Sequence, residues 1–470
     1  MEVAVSLKKN ISWSALTSIG SATLDILKIA ILARFLVAED FGVFAIALVV
    51  LGFSQLFSEG GIGNAIISQK DITTRQVSIL FNYVNLISVI VLGIASLLAP
   101  VIAGFYELPA LAHIIPLLLI SLPFAASSRV FVALLQKQLA LKPIAIITIS
   151  SKLIGLLSGI VAALYEQGVW SLVYAMLAMH VSALMIAFYY VRETFNFEAS
   201  FSWREIKSVL NFSLYQLGEF NINFFARNLD ILLITKFVGA EIAGQYSIIK
   251  NLFSRFGDVV VSTFTRVFHP KLANSTQREE LVGQYQQFNV FVVTVVFIGF
   301  LGLAINHELF INLLLGEGYN TLFTLVPIMC LWMALRYSTA PVSTLWMVRL
   351  KPHYGLYWNI GLLFLVSSVI YLTSDRHIEG IVTGLAILQA FILLFAWCLA
   401  YQLLEKQKQF VSLLITRLLP IVIYTSIVGY FFTSLFNADS NEFVLVLYTA
   451  CSTLPVLTFI YKFEVSKTAK

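Results

Sequence analysis

The sequence is short of charge. Only 12% of its 470 residues are Asp, Glu, Lys or Arg, where a soluble chain carries about a quarter. That deficit excludes a soluble globular protein of this length. Cysteine is scarce as well. Cys330, Cys398 and Cys451 are the three present, each inside an apolar run and at no metal-ligand spacing. They read as small buried apolar residues, so neither a disulfide framework nor a metal site is expected. No Walker-type phosphate loop occurs, which leaves nothing to suggest direct use of ATP. No cofactor and no nucleic-acid partner are called for. A cleavable signal peptide is not expected either, because the first apolar stretch is too long and no small-residue cleavage site follows it. Polar loops are short. The longest on the expected outer face, 306–319, is too small for a catalytic domain.

Apolar sequence fills the space that charge leaves. Hydrophobic residues make up 59% of the chain, and one membrane-spanning helix needs about 20 of them in a run. Fourteen such stretches can be read: 11–36, 41–67, 77–104, 109–135, 143–165, 168–191, 206–236, 242–268, 285–305, 320–348, 354–373, 379–402, 412–434 and 443–461. The expected fold class is therefore an all-α polytopic membrane protein. If the N-terminus is cytoplasmic, eighteen Lys and Arg fall on the inside and three, Arg34, Lys236 and Arg376, on the outside. That bias places both termini in the cytoplasm.

Two stretches match each other. "RFLVAEDFGVF" at 34–44 and "KFVGAEIAGQY" at 236–246 both fit basic-Phe-x-x-Ala-Glu-x-x-Gly-x-aromatic. Each lies at the turn between an odd and an even span. Each follows the tetrapeptide Leu-Asp-Ile-Leu, at 24–27 and 229–232, although that element is three residues out of step. Six spans separate the copies, which implies a parallel repeat of two six-helix lobes. The expected division is an N-lobe at 1–191, a cytoplasmic linker at 192–205, a C-lobe at 206–402, and two additional spans with a tail at 403–470.

The repeat bears on where charge is placed. A charge at mid-bilayer costs about 2.5–3.5 kcal/mol on insertion scales and normally faces an interior or a wet cavity. Here the charges concentrate in the spans that open each lobe. Asp25 and Lys28 lie on a polar face of span 1 with Ser14, Ser18 and Ser21, and Glu59 is in span 2. Glu219, Asn223, Arg227 and Asp230 share a face of span 7; Asn251, Arg255 and Asp258 form a stripe in span 8 beside Lys250. The candidate substrate-binding residues are Asp25, Lys28, Glu59, Arg227, Asp230, Lys250, Arg255 and Asp258. A structural reading competes with this one. Asp25 with Lys28, Arg227 with Asp230, and Arg255 with Asp258 are spaced i,i+3 and can neutralise each other within a helix. Arg129, Lys152, His180 and Arg336 stand alone in their spans, and His180 reads as a packed side chain. Nine basic residues against five acidic ones lie within spans, a bias that attracts an anion.

Fourteen spans, two six-helix halves, the opening "KKNISWSALTSIGSATLDILKIAILARFLVAEDFGVFAIA" and the motif "ARFLVAEDFGVFA" resemble the polysaccharide-transporter branch of the multidrug/oligosaccharidyl-lipid/polysaccharide exporter superfamily, in particular its Wzx-type flippases. The resemblance covers nearly the whole chain and is strongest over 8–70. It implies a bacterial inner-membrane protein, not an enzyme, that moves undecaprenyl-diphosphate-linked oligosaccharide from the cytoplasmic to the periplasmic leaflet for O-antigen, capsule or exopolysaccharide synthesis. It further implies alternating access of the two lobes. The partners expected with it are membrane lipids and the polysaccharide polymerase and chain-length machinery. Three alternatives stay open: a drug/cation antiporter of the same fold, a lipid II flippase, and a membrane-embedded polymerase.

Overall fold

The computed structural model describes residues 2–404 except 60, 70–71, 276, 317–318, 320–321 and 350–352; the side chains of 2–12, 15, 64 and 203–220 are not among those described. The spans expected at 412–434 and 443–461, with Cys451, fall outside the described residues.

Each of the twelve earlier spans has a helix at its place. In chain order they are α1 (Glu2–Leu32), α2 (Ala38–Glu59), α3 (Ile62–Ser68), α4 (Thr74–Tyr106), α5 (Leu111–Leu119), α6 (Ser121–Lys137), α7 (Leu141–Leu164), α8 (Trp170–Val191), α9 (Trp203–Val238), α10 (Ala240–Asn274), α11 (Arg278–Ile305), α12 (His307–Leu314), α13 (Leu325–Tyr337), α14 (Ala340–Val348), α15 (His353–Thr373) and α16 (His377–Leu403). No strand occurs among the described residues. That follows from the solvent, because in lipid each backbone polar group must be bonded within its own helix or in a closed barrel.

Three spans are broken. The 41–67 stretch divides into α2 and α3 at Gly61, which takes a left-handed φ of 73°. The 109–135 stretch divides at Ile120 after Pro116, and 320–348 at Ser338–Thr339 before Pro341. At the last break the turn is reinforced by side chains: Ser338 Oγ donates to the Ala334 carbonyl at 2.7 Å and Thr339 Oγ1 to the Arg336 carbonyl at 2.7 Å, carbonyls that also accept the backbone amides of Ser338 and Thr339.

The chain packs as two compact units, Met1–Ile248 and Ile249–Lys470. In the first, α2 is central, with 61% of its apolar stretch buried, while α4 buries only 17% and turns its large apolar side chains outward to lipid. Two glycines one turn apart, Gly155 and Gly159 on α7, let that helix press on Ala175 of α8. A Cβ on Gly155 would stand 2.7 Å from the Ala175 carbonyl, so close backbone approach is the packing device here. The expected linker is fastened to this unit. Glu198 N donates to Ser78 Oγ at 2.7 Å, and Asn82 Nδ2 donates to the carbonyls of Glu198 at 2.7 Å and Ser200 at 3.0 Å. Phe195 joins Phe81 and Phe131 in a ring cluster with centroids 5.0–5.4 Å apart.

In the second unit α13 packs on α11 and α16. Tyr337 lies over Gly257, where any side chain on α10 would overlap its ring. The apolar stretch of α15 is only 11% buried, so this helix also faces lipid. With α16 it borders an apolar crevice of about 560 Å³ lined by Tyr357, Trp358 and Phe395 among others.

Candidate functional site

Nine helical stretches among the described residues are long and apolar enough to cross a membrane on that ground alone. α9 and α10 are not among them, although they are 36 and 35 residues long. They are the two helices that flank the second repeat copy, and they hold Arg227, Asp230, Lys250, Arg255 and Asp258.

The acids of the site are engaged across helices. Asp25 on α1 is 8% exposed and is paired with Lys152 on α7 at 2.6 Å; Lys152 Nζ also reaches the Ser21 carbonyl at 3.4 Å. Asp230 on α9 is 4% exposed. It accepts a 2.6 Å hydrogen bond from the hydroxyl of Tyr246 on α10. Asp258 on α10 accepts one of 3.1 Å from the hydroxyl of Tyr337 on α13, which also donates to the Ser254 carbonyl at 3.1 Å. Each of these acids thus has a partner on a neighbouring helix, which the i,i+3 spacing within its own helix did not suggest. The reading of Lys152 and Arg129 as solitary is corrected. Arg129 Nε on α6 sits 3.1 Å from Glu59 Oε2 at the end of α2. A buried charge must be met by a partner, and at mid-membrane the neighbouring helix supplies it.

The cations are presented differently. Arg227 is exposed on α9, one turn from the buried Asp230. Lys28 is half-buried, and with Arg129 it bears on the ring of His180 on α8. Nε2 of His180 is buried and has no hydrogen-bond partner among the described residues. Glu59 and Arg129 thus form an ion pair in the first unit, to which Lys28 on α1 and His180 on α8 also belong. In the second unit Lys250 is buried at 6% exposure, and Arg255 is exposed. An apolar crevice of about 450 Å³ lies in the first unit between α2, α4 and α9, lined by Phe53, Phe57, Leu98, Phe225 and Leu232 among others.

Sequence reasoning missed Tyr246 and Tyr337 as partners. The one available signal was that Tyr246 closes the second repeat copy where Phe44 closes the first.

A helical multi-pass membrane protein with charge held between its helices is the class that this architecture defines. Its fold is that of a solved lipid II flippase, MurJ, in an inward closed conformation. The two superpose with a TM-score of 0.76 at 12% identity, over 97% of this chain and 100% of that one. The family described as polysaccharide biosynthesis protein matches residues 31–324, and the chain belongs to it. Among curated relatives it is similar to the lipopolysaccharide biosynthesis protein WzxC of Escherichia coli K12, 24% identical over 380 residues, which cover 80% of this chain and 77% of that one. It is also similar to the succinoglycan biosynthesis transport protein ExoT of Rhizobium meliloti, 25% identical over 295 residues, covering 62% and 59%.

Proposed function

We propose that the protein is a flippase of surface-polysaccharide synthesis, carrying undecaprenyl-diphosphate-linked oligosaccharide from the cytoplasmic to the periplasmic leaflet of a bacterial inner membrane by alternating access. Family membership and the names of its relatives support transport in polysaccharide synthesis. The observation that carries the anionic cargo is on α9, where Arg227 is exposed while Asp230, in the next turn, is buried and bonded to Tyr246. In this reading Arg227 binds the diphosphate, because its planar fork makes two charge-assisted bonds to phosphate oxygens and keeps its proton. Lys28 and the unpaired Nε2 of His180 add donors. In the second unit, taken by itself, Lys250, Arg255 and Asp258 are the proposed cargo residues, and in the first Asp25 and Glu59 hold the cations Lys152 and Arg129 in place. The glycan stays in water and the prenyl tail in lipid.

The test is complementation of a deletion strain in which lipid-linked glycan builds up on the cytoplasmic face. Arg227→Ala is expected to abolish rescue at normal membrane levels, and Arg227→Lys to retain part of it. Normal transport by a double Arg227→Ala, Asp230→Asn variant would remove Arg227 as a cargo ligand. The orientation is tested separately: Ser200→Cys and Leu314→Cys should label from opposite sides of the membrane.

A further inference from the structure

The segment expected to link the lobes is anchored to α4 by Ser78 and Asn82, which are four residues apart and share a face of that helix. Continued at helical spacing, the same face carries Leu86, Val89 and Leu97, all exposed apolar side chains turned to lipid. Ser78 and Asn82 on this line are buried. Residues 195–201 therefore run along the side of α4 that is given to hydrocarbon elsewhere on the helix.

Depth follows from length. α4 has 33 residues and is about 50 Å long at 1.5 Å per residue. A bilayer measures about 40–45 Å with its headgroups and about 30 Å across its hydrocarbon core. Asn82 lies eight residues after Thr74, about 12 Å along the axis. A centred α4 thus sets Ser78 in the headgroup layer and Asn82 near its inner boundary. Irregular backbone is costly there unless its polar groups are bonded. Ser78 Oγ accepts from Glu198 N and donates in turn to the Glu198 carbonyl at 3.2 Å. Asn82 Nδ2 serves the carbonyls of Glu198 and Ser200. Ser200 N donates to the Glu198 carbonyl at 2.8 Å, and the amides of Thr194 and Phe195 close on the Val191 carbonyl. In water these groups would need no such partners.

The side chains sort in the same way. Phe195 is buried against the unit, while Phe197 and Phe201 are 63% and 58% exposed. Each of the exposed rings makes a T-shaped contact with α4, Phe197 with Phe81 and Phe201 with Tyr83. A pinned backbone holds both rings out, so they cannot fold back to escape water. Where the segment begins, Tyr189 and Tyr190 in the last turn of α8 are exposed, and the Arg192 guanidinium lies 4.5 Å from the centre of the Tyr189 ring. Aromatic rings beside a cation suit the headgroup layer of a membrane. Glu198, the acid in the middle of the segment, has Arg75 3.9 Å away.

We propose that residues 195–201 form a strap lying in the membrane, at the boundary between headgroups and acyl chains, with Phe197 and Phe201 inserted among the lipids of that leaflet. The partner of this surface is the bilayer itself. The leaflet is the cytoplasmic one in the orientation that the Lys and Arg bias gives. The depth of the strap depends neither on that orientation nor on the cargo.

The test uses the full chain with its three native cysteines replaced, in vesicles of phosphatidylethanolamine and phosphatidylglycerol. A nitroxide is attached at Phe197→Cys or Phe201→Cys. Its collision rates with oxygen, which concentrates in lipid, and with a water-soluble nickel chelate are measured. Val89→Cys on the lipid-facing line of α4 and Gln138→Cys at the exposed α6–α7 turn are the references. Labels at 197 and 201 should meet nickel several-fold less often than the label at 138, with oxygen collisions raised toward those at 89. Nickel collisions equal to those at 138 would overturn the strap. Asn82→Ala removes the donor to two carbonyls and should raise nickel collisions at 201 several-fold; an unchanged rate would overturn the role given to Asn82 in holding the backbone at that depth. Should the cysteine variants fail to reach the vesicles, Phe197→Trp is read against the parent with its seven native tryptophans. The added fluorescence should be quenched by phospholipids brominated near the headgroup end of their chains, and added fluorescence that they leave unquenched would overturn the proposal.

Discussion

In the first repeat copy the duplicated pattern ends in Phe44, and the acid before it, Asp25, is held by the ammonium of Lys152. In the second it ends in Tyr246, whose hydroxyl holds the acid Asp230. Gly42 stands against the Ala240 carbonyl and Gly244 against the Ala38 carbonyl, so the backbone crossing is the same for both copies, but the means of satisfying the buried acid is not. Backbone crossing leaves almost no freedom, since any added atom collides. A buried carboxylate needs only some donor, and donors of different kinds serve. The difference has an electrostatic consequence. Lys152 brings Asp25 a positive charge as well as a donor. Tyr246 lends Asp230 a proton donor and no charge.

That contrast can be broken from either side. The largest effect is expected in the first copy. Lys152→Ala leaves Asp25 buried without its ammonium and should cost about 3–5 kcal/mol, seen as a lowered thermal inactivation midpoint in detergent. Adding Asp25→Asn should return much of the loss, and failure of that rescue would show that Lys152 matters through packing rather than charge. In the second copy Tyr246→Phe removes one hydrogen bond to a charged acceptor. It makes that copy resemble the first, and should cost about 1–3 kcal/mol; an effect as large as that of Lys152→Ala would erase the distinction drawn here.

The smallest change concerns the position between Glu and Gly in the motif. Asp40 of the first copy accepts from Val37 N at 3.3 Å and from Val169 N at 3.1 Å, tying α2 to the start of α8. Ile242 stands at the matching place in the second copy. Asp40→Ala should cost about 1 kcal/mol, as the loss of a helix cap does, while Ile242→Ala should leave the α8 turn untouched. Protease sensitivity of the 165–169 turn reads the difference.

Much of this architecture was legible in the chain before any coordinates. Lipid demands long apolar runs, and such runs are visible one at a time, so each of the twelve spans up to residue 404 falls on a helix, although α1 and α11 begin well before residues 11 and 285 and α10 runs past residue 268. The breaks were harder. All three stretches were read as continuous, although Pro116 and Pro341 lie close to two of the breaks and Gly61 at the third. The concentration of charge on α9 and α10 was legible for the same reason as the spans, since it is a property of single segments.

Partnership was not legible. Asp25 and Lys152 are 127 residues apart, and Ser78 and Glu198 are 120 apart. Helical spacing put Lys28 one turn from Asp25 and Arg227 one turn from Asp230, which made pairs within each helix the natural expectation. It could not say that the carboxylates point into interfaces while Arg227 remains exposed. Sequence by itself determined which segments enter the membrane and which of them carry charge, because the cost of leaving water is paid residue by residue. Only the tertiary structure decided which charge meets which, and which glycine meets which carbonyl. Those depend on how neighbouring helices are rotated about their axes, and that rotation is set by packing across the whole unit.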